Sequence, residues 1–139
     1  MNAERCFAMG RLGMKDMLKR GFKTMLAEAN AVIEIVSVQD LAYHLEEIGA
    51  LLLDVRETVE RERDGVIPDS VHLPRGLLEF QADPESPAFN EALAPDRPMV
   101  LYCGTGGRSA LAAKTLHDMG YANVASLAGG YQAWRMMKD

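Results

Sequence analysis

Cys103, Gly104, Thr105, Gly106, Gly107, Arg108 and Ser109 form one unbroken run whose residue types suit nucleophilic chemistry by a thiol on an anionic substrate. A thiol at the mouth of a glycine-rich turn, just ahead of a helix, meets unpaired backbone N–H groups and the positive end of the helix dipole. Both lower a thiol pKa, and so does an arginine at the rim. Glycine at three of the four positions 104–107 lets successive N–H groups turn inward as a nest for a thiolate or another anion. A lone cysteine is more often a small core hydrophobe. Here the strand, glycine loop, arginine and helix start act together and argue for reactivity. The run is no nucleotide site: it has no P-loop lysine, and Gly104-x-Gly106-x-x-Ser109 lacks the third glycine of a dinucleotide fingerprint.

The flanking residues must supply the scaffold. Met99–Tyr102 is a short apolar run that reads as a buried strand, and Ala110–Leu116 reads as the helix behind the loop. In that helix Ala112, Leu116 and Met119 are expected to face inward, and Gly120 to end it. Upstream, Ile33–Val36 is β-type, Ser37 is a helix cap, Leu41, Leu45 and Ile48 share one helical face, and Gly49 closes that helix. Leu51–Val55 is a continuous apolar strand carrying Asp54 near its end. A charged helix over Glu57–Asp64, a brief strand at Ser70–Leu73 and a helical piece near Leu77–Phe80 follow, then a proline-rich stretch, 81–98, expected as a surface loop. Val124–Leu127 is a last strand, and Gly129-Gly130 leads into a closing helix with Tyr131, Trp134 and Met137. Strands alternating with helices predict an α/β fold with a parallel sheet covered on both faces, and ligands at the carboxyl ends of its strands. Cys103 and Asp54 both stand at such ends.

The bulk properties fit a small enzyme. The 139 residues suffice for one core, nearly half are apolar and a quarter charged. Cys6 and Cys103 lie far apart, without a leader-type segment or an apolar run of membrane length, which predicts free thiols in a reducing, cytoplasmic setting. Cys6 is given no role. Residues 1–30 carry a net +3 and residues 31–139 a net −8. An acidic body argues against nucleic acid as a partner. The first thirty residues are expected to form a helical extension. Met14, Met17, Leu18, Gly21, Phe22, Met25, Leu26 and Ala29 follow helical spacing over 14–30, with Lys15, Lys19, Arg20 and Lys23 opposite. That face is expected to dock on its own domain or to form a homodimer in preference to lying on a membrane.

In the order Asp54-Val55-Arg56-Glu57, Gly65-Val66-Ile67-Pro68-Asp69-Ser70-Val71-His72-Leu73-Pro74, Cys103 to Arg108, and Leu127-Ala128-Gly129-Gly130-Tyr131-Gln132-Ala133-Trp134, residues 34–135 resemble a single-domain rhodanese, a sulfurtransferase module. The resemblance implies a five-stranded, mostly parallel sheet with helices on both faces over residues 31–139. It implies a sulfurtransferase that carries sulfane sulfur on a Cys103 persulfide, from thiosulfate or another persulfide to a thiol or cyanide acceptor. Protein donors or acceptors fit as well, and no cofactor or metal is implied. Gly104, Thr105, Gly106, Gly107, Arg108 and Ser109 become the anion-binding loop, with Arg108 turned partly away from the sulfur and a hydroxyl donated by Thr105. Asp54, Arg56, His72 and Arg75 become supporting residues, with structural roles favoured for the Asp54–Arg56 pair and for His72. Val66 and Asp69 depart from the family's second motif, where His and Gly are usual, and both bear on a turn. Gly107 stands where many relatives have a bulky or basic side chain, which weakens the case for thiosulfate as donor.

Two other readings use the same residues. A cysteine phosphatase also sets Cys and Arg before a helix, but with five residues between them, against four here, and Tyr102 stands where phosphatases place a histidine. A sulfur-carrier module would receive and hand on persulfide without turnover of its own.

Overall fold

A computed structural model describes residues 13–138. Helix α1 (Phe22–Val32) leads into strand β1 (Glu34–Val36), and α2 (Leu41–Tyr43) continues as a π-helical turn over His44–Ile48. Strand β2 (Leu51–Asp54), helix α3 (Thr58–Asp64), strand β3 (Val71–His72), a 3-10 turn (Arg75–Leu77) and helix α4 (Leu78–Ala82) follow. Strand β4 (Met99–Tyr102), helix α5 (Gly107–Met119), strand β5 (Val124–Leu127) and helix α6 (Gly130–Lys138) complete the chain. The five strands form one sheet in the order β1-β5-β4-β2-β3, and every pairing is parallel. None of the described helices is long and apolar enough to cross a membrane.

The central strands β2, β4 and β5 are buried at every residue, because helices cover both faces. The pleat divides their side chains between two cores. Leu51, Leu53, Met99, Leu101 and Cys103 face one side, with Leu78, Ala112, Ala113, Leu116 and Tyr121. Leu52, Val100 and Tyr102 face the other, with Leu41, Ile67 and Tyr131. The register sets Asp54 beside Tyr102 and Leu101 beside Ser126. Three strand ends therefore bring Asp54, Cys103 and Ser126 to one edge of the sheet.

Local signals worked where the backbone carries its own instructions. Gly49 ends the π-helical turn with φ +79°, whereas Ser37 does not cap α2: its Oγ accepts the Asp40 N–H at 3.2 Å in the turn before the helix, whose N-cap is Asp40. Four other expectations shift. The helix predicted over 14–30 is interrupted at residues 18–21: Gly21 is extended and α1 begins at Phe22, since glycine adds little to hold a helix across that point. Arg20 folds back on Glu28 through two bonds of 3.1 and 2.8 Å. Ala29 and Ile33 are buried, so α1 packs in cis across the expected 30/31 boundary. Met119 is exposed, because Gly120 turns left-handed and Tyr121 takes the inward place, its N–H bonded to Leu116 O. Met137 is likewise exposed at the end of α6. The stretch 81–98 is no purely superficial loop: Leu93 is fully buried, and the Tyr121 hydroxyl donates to Ala82 O at 2.8 Å. Cys6 lies outside the described residues.

Asp69 has φ +66°, the left-handed region where a side chain is strained. Asp69→Gly is expected to raise stability by up to ~1 kcal/mol and Asp69→Val to lower it by ~1–2 kcal/mol, read as midpoint shifts in denaturant unfolding.

Candidate functional site

The alternation of β4 sends Cys103 to the α5 side and Tyr102 to the α6 side, so the thiol and its support occupy opposite faces of the sheet. Cys103 is 1% exposed. Its Sγ accepts the N–H of Gly106 at 3.1 Å and that of Ser109 at 3.4 Å. Burial pushes the thiol up. The Ser109 hydroxyl and the N–H groups of Ser109, Gly106 and Thr105 pull it down, and the net shift is downward.

Ser109 Oγ lies 3.5 Å from Sγ, donates to Gly106 O at 3.2 Å and lies 2.8 Å from Ser126 Oγ. Ser126 Oγ is itself 3.5 Å from Gly106 O, so it can take over that bond while Ser109 turns its hydrogen to a thiolate.

A nest needs carbonyls that point away as much as N–H groups that point in. Helix α6 supplies that half: Tyr131 N–H donates to Cys103 O at 2.8 Å and Gln132 N–H to Gly104 O at 3.1 Å. The unpaired N–H groups of a helix start thus hold both loop carbonyls outward. Gly106 has φ +112° and Gly130 φ +60°. A Cβ on Gly130 would stand 2.6 Å from Cys103 O, closer than atoms pack, so glycine is required there.

The Arg108 side chain is held by Glu60. Its Nη1 and Nη2 donate to Glu60 Oε1 and Oε2 at 2.7 and 2.8 Å, a bidentate pair. Glu60 Oε1 also accepts the N–H of Glu57 at 3.1 Å, closing a capping box at the start of α3. The Arg108 guanidinium holds the Glu60 carboxyl down at about 2, and Glu60 raises Arg108 in turn.

On the α6 side Asp54 is wholly buried and Arg56 is 1% exposed. Asp54 accepts the backbone N–H of Arg56 at 3.0 Å, Arg56 Nε at 3.0 Å and Nη2 at 2.8 Å, Arg61 Nη1 at 2.7 Å and the Tyr102 hydroxyl at 2.8 Å. Burial opposes the charge on Asp54, but the bonds from Arg56 and Tyr102 prevail and its carboxyl is lowered. Arg56 also donates to Gly65 O at 2.8 Å and lies 4.5 Å from the Tyr131 ring centroid. His72 Nε2 bonds the carbonyl of Arg56 at 2.7 Å, a structural contact.

Two of the expected residues stand apart from the sulfur. Arg75 donates to Glu79 and Thr115, on the body of α5. Thr105 is exposed, and its backbone N–H rather than its hydroxyl bears on the thiol. Beside the loop, Leu26 and Asn30 of α1 join Thr105, Gly106, Gly107 and Ala128 around a recess of about 250 Å³.

Sequence reasoning missed Glu60, Tyr102, Ser126, Arg61 and Gly130 as parts of the site. Two carried a signal: Glu57 and Glu60 have capping-box spacing, and Ser126 is a polar residue inside a buried strand.

A family model for the Rhodanese-like domain matches residues 37–137. The chain belongs to the rhodanese-like family. Among relatives, the thiosulfate sulfurtransferase GlpE of Pseudomonas syringae is 38% identical over 94 residues, covering 68% of this chain and 80% of its own. Two solved structures align closely. A protein of unknown function from Rhodopseudomonas palustris, described as a possible tyrosine phosphatase, is 45% identical, with TM-score 0.80 and coverage of 87% and 93%. The polysulfide-sulfur transferase homodimer of Wolinella succinogenes is 29% identical, with TM-score 0.69 and coverage of 94% and 89%. The rhodanese loop of this chain thus has its cysteine, its nest and its outward carbonyls assembled from three strand ends and two helix starts.

Gly130→Ala is expected to lower stability by ~3 kcal/mol or more in urea unfolding. It should also raise the Cys103 thiol pKa in an ultraviolet thiolate titration, because the displaced loop loses its inward N–H groups.

Proposed function

We propose that this rhodanese-type sulfurtransferase carries sulfane sulfur on Cys103. The Cys103 thiolate attacks the outer sulfur of a donor. With thiosulfate the S–S bond breaks, sulfite leaves with the bonding electron pair, and the enzyme holds Cys–S–S⁻. With an organic persulfide a thiolate leaves instead. An acceptor thiolate or cyanide then attacks the outer sulfur, and the Cys103 thiolate returns.

One observation carries this reading: a buried Sγ held by two backbone N–H groups within 3.4 Å, beside a hydroxyl at 3.5 Å. That cradle stabilises a thiolate and suits a persulfide anion, whose charge also lies on sulfur. No general base is needed once the thiol is ionised. The phosphatase reading is less well supported. Both terminal nitrogens of Arg108 bond to Glu60, whereas a phosphate-binding loop needs its arginine on the phosphate.

The partners we infer are a small or protein-borne sulfur donor and a thiophilic acceptor. A second copy of the chain is a further one. Phe22 and Met25 on α1, with Met14, Met17 and Leu18 before it, expose a run of large apolar side chains. The similar Wolinella protein is a homodimer.

Cys103→Ser is expected to abolish sulfur transfer while leaving the unfolding midpoint nearly unchanged. Wild-type protein exposed to a panel of donors should gain one sulfur, about 32 Da, on the peptide containing Cys103. Residual transfer above about a tenth of wild type in the variant would refute the persulfide route.

The double change Phe22→Ser, Met25→Ser is expected to turn a dimer into a monomer by light scattering while Cys103 still loads sulfur. A wild-type monomer at high protein concentration would refute the self-association surface.

A further inference from the structure

The arginines that support the cysteine loop are each paired with a carboxylate. Asp54 takes Arg56 and Arg61, and Glu60 takes Arg108 through both terminal nitrogens. Glu57 adds a further negative field at Arg108. Three guanidinium groups thus meet three carboxylates. The loop Cys103–Ser109 contains no lysine, and Gly107 offers no side chain. Lys114 on α5 pairs with Asp118. What these pairings leave at the loop for a donor is the backbone nest, which suits one negative charge on sulfur.

Thiosulfate brings two charges, with the second on a sulfonate that must lie outside the nest. The Arg108 guanidinium is within reach of that space: a Cβ on Gly104 would lie 3.4 Å from Nη2. Glu60 both cancels its charge and fixes its direction. We infer that Glu60 is the residue that selects the donor, withholding Arg108 from the site and favouring singly charged persulfides over thiosulfate. The inference rests on the sulfur-transfer reading and names the donor class of the same site.

Glutamine at position 60 tests it with little disturbance. Gln preserves the capping box to Glu57, because its carbonyl oxygen still accepts that N–H. It removes the charge and half of the fork that holds Arg108. In Glu60→Gln, kcat/KM with thiosulfate is expected to rise about fivefold, an effect that shrinks with added salt. With cysteine persulfide the change should be smaller, so that the ratio of thiosulfate to persulfide kcat/KM rises. The Cys103 thiolate titration should shift downward, since an unmasked guanidinium favours the anion. A purely structural Glu60 would give neither the split between donors nor that shift.

A folded Glu60→Gln with unchanged thiosulfate kcat/KM overturns the inference. If Glu60→Gln fails to fold, Gly107→Lys decides. Beyond its chain neighbours and its own helix backbone no atom lies within 4 Å of a Cβ at position 107, and the backbone there is not left-handed, so a lysine fits and adds a cation to the loop. A thiosulfate-selective rise in Gly107→Lys supports a site starved of positive charge, and no rise overturns it. If wild-type Cys103 takes sulfur from no donor at all, the sulfur-transfer reading fails first and the inference falls with it.

Discussion

The Asp54 carboxylate has no exposed surface, and the site is built outward from that one buried charge. Taking a carboxylate and a guanidinium out of water costs several kcal/mol each, and their attraction offsets this only when every polar atom finds a partner. Here the two oxygens of Asp54 accept from Arg56, Arg61 and Tyr102. No buried side-chain nitrogen or oxygen among the described residues lacks a hydrogen bond. The pair adds little net stability, but it fixes position. Arg56 binds the end of α3 through Gly65 O, lies against Tyr131 of α6 and presents its carbonyl to His72. Tyr102, bonded to Asp54, is the residue before Cys103. One ion pair thereby sets the relative places of β2, β3, β4, α3 and α6.

From that frame the reactive loop needs few contacts of its own. Two helix starts do complementary work: α5 offers N–H groups to the sulfur, and α6 draws the carbonyls of Cys103 and Gly104 away. A helix start placed this way is a fixed dipole that needs no reorganisation when charge appears on sulfur. The close approach of Gly130 to Cys103 O explains why the second glycine of Gly129-Gly130 admits no side chain.

What the sequence disclosed follows from range. The cysteine loop, the apolar strands at 51–55 and 99–102 and the stop at Gly49 are each set by neighbours in the chain, so pattern and turn chemistry reveal them. Asp54 and Arg56 are two residues apart, and their pairing was legible for the same reason. Arg108 and Glu60 are 48 residues apart, and Asp54 and Tyr102 likewise; such pairs exist only once the strand order sets β2 beside β4. Ser126 gains its meaning from β5 lying beside β4. Leu93 was hidden by the prolines around it, because a loop that dips into a core leaves no period to detect. The break at Gly21 was hidden by the reverse: a good apolar spacing ran through a residue whose backbone does not hold it.

The depth of Cys103 bears on how such a sulfur survives. A low-pKa thiolate open to solvent climbs readily to sulfenic and then irreversible sulfinic and sulfonic acids. At 1% exposure the Cys103 sulfur has little surface for a dissolved oxidant to strike. A sulfur added to Sγ would extend the side chain by one S–S bond, about 2 Å. On the proposed persulfide route, resting and loaded forms would differ in reach: the unloaded Cys103 sulfur is sheltered, and the added sulfur would be the atom offered to the next thiol.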